Sequence, residues 1–96
     1  MSNILLIEDE NSIRRVLKNV LQQDNPSYKF TEATDGKEGI SIIKKQQFNL
    51  ILCDIKMPKN DGIEVLDFIR NHTPTTPVVM ISGHAVSYTH LRAHET

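Results

Sequence analysis

Short apolar runs alternate with amphipathic stretches from Asn3 to Ile81. Asn3-Ile-Leu-Leu-Ile7 is a continuous apolar run of strand length, the kind buried on both faces of a parallel sheet. Ile13, Val16, Leu17, Val20 and Leu21 then recur at i, i+3, i+4, i+7 and i+8, which is one face of a helix. Asn11 or Ser12 can cap its start, and Asn25-Pro26-Ser27 ends it. Tyr28-Lys-Phe-Thr-Glu-Ala33 alternates apolar and polar positions and predicts a second strand, nearer an edge. Asp35-Gly36 is a turn and a cap, and Ile40, Ile42 and Ile43 mark a short helix ending near Gln46 or Gln47. Leu50-Ile-Leu-Cys53 predicts a third strand. Ile63, Val65, Leu66, Phe68 and Ile69 predict a third helix. The two prolines of Asn71-His-Thr-Pro-Thr-Thr-Pro77 make a loop, and Val78-Val-Met-Ile81 predicts a fourth strand.

The order is therefore β-α-β-α-β-α-β, an α/β doubly wound arrangement. Strict alternation implies a parallel sheet with right-handed crossovers and helices on both faces. Chemistry in such sheets sits outside the carboxyl ends of the strands. That rule selects Glu8, Asp9, Asp54 and Ser82, each of which follows an apolar run.

Composition narrows the function classes. The chain has 96 residues, 39% of them hydrophobic and 24% charged, enough for one soluble domain with a radius of gyration of roughly 12–13 Å. Eleven basic against twelve acidic residues leave a net charge of −1, which gives no basis for electrostatic capture of nucleic acid or an anionic membrane. No apolar run approaches the roughly 18–20 residues of a membrane span, and Met1 to Leu6 lacks the basic start of a secretory signal. The single cysteine, Cys53, excludes an internal disulfide and fits a reducing, cytoplasmic setting.

Three carboxylates at neighbouring strand ends are costly together unless they are protonated or neutralised by a cation. An all-oxygen donor set of this kind suits Mg²⁺. The plainer alternative is that Glu8 and Asp9 cap the following helix and Asp54 makes a turn. Ser82 is placed to hydrogen-bond an oxygen held at Asp54, or simply opens a glycine-containing loop. In the loop after Asp54, Pro58 fixes the backbone and Gly62 permits a turn. Lys56 offers its backbone carbonyl to a metal while its side chain stays solvated.

Taken together, Asn3-Ile-Leu-Leu-Ile-Glu-Asp-Glu10, Asp54-Ile-Lys-Met-Pro58, Asp61-Gly62 and Val78-Val-Met-Ile-Ser-Gly-His84 resemble the receiver domain of two-component response regulators. The likeness runs from about residue 3 to residue 85. Its Ile-Ser-Gly-His-Ala85 ending is similar to receivers of sigma-54-dependent, nitrogen-regulation-type activators. The resemblance implies a flavodoxin-like sheet of order 2-1-3-4-5. It implies that Asp54 accepts a phosphoryl group from a sensor histidine kinase. Glu8, Asp9, Asp54 and the Lys56 carbonyl would bind Mg²⁺, and Ser82 would be the switch hydroxyl. The output would be an effector domain, typically transcriptional. The module itself would not be an enzyme and would touch neither nucleic acid nor membrane.

The chain also departs from that pattern. The family carries a lysine at the end of a fifth strand, and only fourteen residues follow Ser82, with Arg92 and three histidines as their basic side chains. The resemblance thus implies a receiver over 1–85 that lacks strand 5 and helix 5. Residues 86–96 form a non-family tail, similar to the translation of a sequencing-adapter fragment and contributing no core. Val78–Ile81 would then be an open edge and a route to self-association. Labelling of such a chain would be weak. An interaction module that takes no phosphate is one alternative. A small phosphatase with Asp54 as nucleophile is another, although position 56 is lysine where such enzymes carry a second acid. A flavodoxin-like cofactor binder fits poorly, because Glu8-Asp9-Glu10 repels phosphate. His90 and His94 stand at i, i+4, without a partner at a known metal-ligand spacing.

Overall fold

The computed structural model describes residues 2–55 and 62–81 and the backbone of 86–89. Its elements are β1 (Asn3–Ile7), α1 (Asn11–Asp24), β2 (Lys29–Ala33), α2 (Gly36–Lys45), β3 (Leu50–Asp54), α3 (Gly62–His72), β4 (Val78–Ile81) and β5 (Val86–Thr89). The sheet runs β2-β1-β3-β4-β5. β1 pairs in parallel with β2 and β3, and β3 pairs in parallel with β4. The radius of gyration is 12.3 Å.

The apolar runs sit at the centre because both faces of β1 and β3 are covered. Leu5, Ile7, Ile51 and Cys53 point to one side, where α2 and α3 bring Ile43, Val65 and Ile69 onto them. Ile4, Leu6 and Leu52 point to the other side, against Leu21 of α1 and Tyr28. This is the two-residue period of a strand sorting one run into two cores. β2 lies at the sheet edge, as its alternating pattern predicts.

Helix boundaries follow local chemistry. Asp35 caps α2 by accepting the Glu38 amide at 2.7 Å, and Glu38 returns a carboxylate to the Thr34 amide at 2.7 Å. α1 differs from expectation at both its cap and its face. Glu10, not Asn11 or Ser12, occupies the cap position, and its side chain makes no capping bond. Val16 and Val20 are each 58% exposed, and the one buried residue of α1 is Arg14.

The expected open edge at β4 is also corrected. β5 pairs antiparallel with β4, Val79 opposite Tyr88 and Met80 opposite Ser87. Self-association through an exposed β4 edge therefore loses its basis. Val86-Ser-Tyr-Thr89 alternates β-branched or aromatic residues with polar ones, which breaks a helical period but satisfies a strand's. An unpaired β4 edge supplies the template. Deleting residues 86–96 is thus expected to cost about 1–2 kcal/mol, a few net backbone hydrogen bonds, and to promote association. Urea melts and light scattering test this. An unchanged melt with a monodisperse product would show that β5 contributes nothing.

Candidate functional site

The acids converge because of register. Ile7 of β1 lies opposite Cys53 of β3, so the residues that follow, Glu8 and Asp54, leave the sheet side by side. Asp54 in turn lies opposite Ile81 at the end of β4. Carboxylate oxygens of Glu8, Asp9 and Asp54 all lie within 4.8 Å of one another. Glu8 is buried, Asp54 is half-buried and Asp9 is exposed, so the cluster opens to solvent on the Asp9 side.

Glu8 and Asp9 do not act as helix caps. Glu8 Oε2 accepts the Glu10 amide at 3.0 Å, closing a tight turn at the strand end. Burial pushes the Glu8 carboxyl up to about 7. The Glu10 amide opposes that shift, while a hydrogen bond with Asp9 and the charges of Asp54 and Asp9 add to it. The site thus holds more negative charge than its surroundings tolerate at neutral pH, which is the condition a divalent cation relieves. The donors are all hard oxygens, and one side of the cluster is open. These residues fit Mg²⁺.

The peptide at Asp54 is fixed from two directions. The Ile55 amide donates to Ile81 O at 2.7 Å, and the Gly62 amide donates to Ile55 O at 2.8 Å. Gly62 is needed for space rather than for a turn. A Cβ there would strike the Asp54 carbonyl oxygen and lie 2.6 Å from Ile55 Cα. Ser82 and Lys56, and with them Pro58, lie outside the described residues.

A buried arginine was not foreseen from the pattern. Arg14 Nη1 donates to the Glu8 carbonyl at 2.6 Å, its Nε to Glu32 Oε1 at 2.7 Å, and its Nη2 to Asn11 Oδ1 at 3.1 Å. Lys18 Nζ joins Glu32 Oε2 at 2.7 Å, and the two cations hold the Glu32 carboxyl below its ordinary range. The available signal was Arg14 and Lys18 at i, i+4 on a helix followed by a strand carrying Glu32. A cavity of about 430 Å³ lined by Phe48, Asn49, His72, Thr73 and Pro77, among others, lies where β3 and β4 begin, at the far end of the strands from the acids.

The family model of the response regulator receiver domain matches residues 4–96. The chain belongs to the response regulator receiver family. Among curated relatives, the transcriptional regulatory protein SrrA of Staphylococcus aureus is 37% identical over 84 residues, covering 86% of this chain and 34% of that protein. The chain therefore spans about a third of the length of that relative. Among solved structures, the response regulator TrrA of Thermotoga maritima, in complex with Mg²⁺-BeF, has a TM-score of 0.79 and 29% identity, covering 99% of this receiver and 77% of that chain. The chemotaxis protein CheY4 of Vibrio cholerae gives a TM-score of 0.74 and 30% identity, covering 83% of this receiver and 67% of that chain. The receiver's sheet order through β2-β1-β3-β4 and its helices on both faces agree with those structures. No helix among the described residues is long and apolar enough to cross a membrane.

Proposed function

We propose that this receiver is the phosphoacceptor module of a two-component response regulator, with Asp54 as the accepting residue. The carrying observation is the convergence of the Glu8, Asp9 and Asp54 carboxylates within 4.8 Å at one sheet edge. Glu8, Asp9, Asp54 and the Lys56 carbonyl would hold Mg²⁺. When bound, the ion supplies the positive charge that lets a phosphoryl group approach carboxylates. The family relation to TrrA, whose structure contains Mg²⁺-BeF, supports this reading.

The chain's own contribution is positioning. An Asp54 carboxylate oxygen attacks phosphorus of a phosphorylated imidazole on a sensor histidine kinase. The new P–O bond forms as the P–N bond breaks, and the electron pair returns to the ring nitrogen, which takes up a proton. The product is an acyl phosphate on Asp54. Ser82 would donate its hydroxyl to a phosphoryl oxygen and report the change to an effector domain beyond this module. The name of SrrA supports a transcriptional output. In this reading the module is cytoplasmic, makes no direct nucleic-acid contact and catalyses only its own phosphotransfer and dephosphorylation. Every site residue proposed here precedes Val86, so the functional unit lies within 1–85, while Val86–Thr89 of the remaining segment, 86–96, covers the β4 edge as β5.

Acetyl phosphate with Mg²⁺ is expected to add one phosphoryl group slowly, read by intact mass. Chelating Mg²⁺ abolishes the addition, and Asp54→Asn does the same. Labelling of Asp54→Asn equal to the parent chain would end the assignment.

A further inference from the structure

We propose that Arg14 is a positioning residue for the acid site, fixing the peptide that joins Glu8 to Asp9; this rests on the Mg²⁺ reading above. That peptide's carbonyl accepts Arg14 Nη1 at 2.6 Å. The Glu8 amide, on its other side, donates to Ala33 O of β2 at 3.0 Å. Glu8 is thus held between β2 and α1, and Arg14 is the α1 half of the clamp. The guanidinium is itself fixed, by Glu32 at 2.7 Å and Asn11 at 3.1 Å. Glu32 sits on β2 opposite Leu6, two residues before Glu8. One planar fork therefore spans β2, the strand-end turn and the first turn of α1.

Geometry separates this role from ordinary packing. Arg14 is 8% exposed and is the one buried residue of α1, while two of the helix's valines face solvent. A buried cation is expensive unless its donors are used, and here Nη1 is used on the turn carrying the acids while Nε and Nη2 are held by Glu32 and Asn11. Lysine concentrates its donors on one nitrogen and does not reproduce the planar fork that meets the carbonyl, Glu32 and Asn11. Without the fork the Glu8 carbonyl loses its α1 partner, and the turn that carries Asp9 into the 4.8 Å cluster rests on the Glu10 amide bond to Glu8 Oε2 at 3.0 Å. Lys18 provides an internal control. It makes the same kind of ion pair to Glu32 at 2.7 Å, and no bond to the Glu8 carbonyl is among its contacts.

The test titrates the 96-residue chain with Mg²⁺ and follows the Asp9 and Glu10 amide resonances, at a temperature where each variant keeps native β1 resonances. Arg14→Met is expected to weaken Mg²⁺ binding about tenfold, as removal of an outer-shell partner of a ligand does. Arg14→Lys recovers part of that loss, and Lys18→Met stays within about twofold of the parent. If Arg14→Met does not fold, Arg14→Lys and Glu32→Gln carry the test, each weakening binding more than Lys18→Met. A folded Arg14→Met that binds Mg²⁺ like the parent overturns the proposal, as does equal weakening by Lys18→Met. If the parent binds no Mg²⁺, the metal reading fails. The role of Arg14 is then decided by Glu10 amide exchange, which Arg14→Met accelerates and Lys18→Met does not. Unchanged exchange in Arg14→Met overturns it.

Discussion

Gly62→Ala is expected to cost about 2–3 kcal/mol of stability, in the range of overpacking a closed site, and to suppress phosphoryl labelling of Asp54. The new methyl would meet the backbone of Asp54 and Ile55, not a side chain that can rotate away. Two hydrogen bonds tie that backbone, Gly62 N to Ile55 O at 2.8 Å and Ile55 N to Ile81 O at 2.7 Å. Relief therefore requires α3 to lift from the end of β3 or the Asp54 peptide to shift. Either movement displaces the proposed phosphoacceptor. Gly39→Ala is the informative comparison. Its Cβ would lie 2.5 Å from Ile7 Cδ1 and 2.9 Å from Cγ1, which are side-chain atoms. A helix-interior alanine also regains about 1 kcal/mol of propensity over glycine. Gly39→Ala is thus expected to cost less and to leave labelling intact. Urea melts and intact-mass assays measure both. Equal stability of Gly62→Ala and the parent would contradict the close approach.

Stability of the metal-free protein is expected to fall as pH rises from about 4.5 to about 7, through the Glu8 carboxyl. The folded state holds the Glu8 proton up to about 7, whereas the unfolded chain releases it near 4.5. Between these values the native state binds more protons, so raising the pH favours unfolding. The stabilisation is complete below 4.5 and lost above 7. Its size is roughly 2 kcal/mol once screening by solvent is allowed for. Glu32 works in the opposite direction. Its lowered carboxyl contributes stability above the ordinary value of 4.5, lost as pH falls through its folded value. Glu8→Gln isolates the first effect, because the parent and the variant share Glu32. The variant should show a flatter decline from pH 5 to pH 8 and higher metal-free stability at pH 8. Mg²⁺ should raise the melting temperature of the parent at pH 8 and do little for Glu8→Gln. Identical pH profiles for the two proteins would show that Glu8 carries no such strain.

Much of the architecture was legible because the central strands are buried on both faces. Asn3–Ile7, Leu50–Cys53 and Val78–Ile81 are unbroken apolar runs, and such runs admit few other readings when helical stretches separate them. The candidate site was legible for the same reason: Glu8 and Asp54 interrupt apolar runs at points that parallel register brings together. Three features were not legible. α1 anchors itself through the charged Arg14, so a search for its apolar stripe selected Val16 and Val20, which face solvent. Val86–Thr89 falls in the stretch expected to contribute no core, although its two-residue alternation fits the antiparallel strand that pairs with β4. Gly62 was read as a turn residue, because the closeness of α3 to the Asp54 backbone is a tertiary fact that no local pattern carries.

The central claim is that Asp54 is the residue that takes the phosphoryl group. An acyl phosphate is reduced by borohydride to an alcohol, so the modified aspartate is left as homoserine, a permanent mark. The receiver is treated with acetyl phosphate and Mg²⁺, reduced, digested and sequenced by tandem mass spectrometry. Homoserine is expected at position 54, present only when Mg²⁺ and acetyl phosphate are both supplied. Homoserine at Asp9 or another aspartate, or no reduced residue in a chain verified as folded, would contradict it.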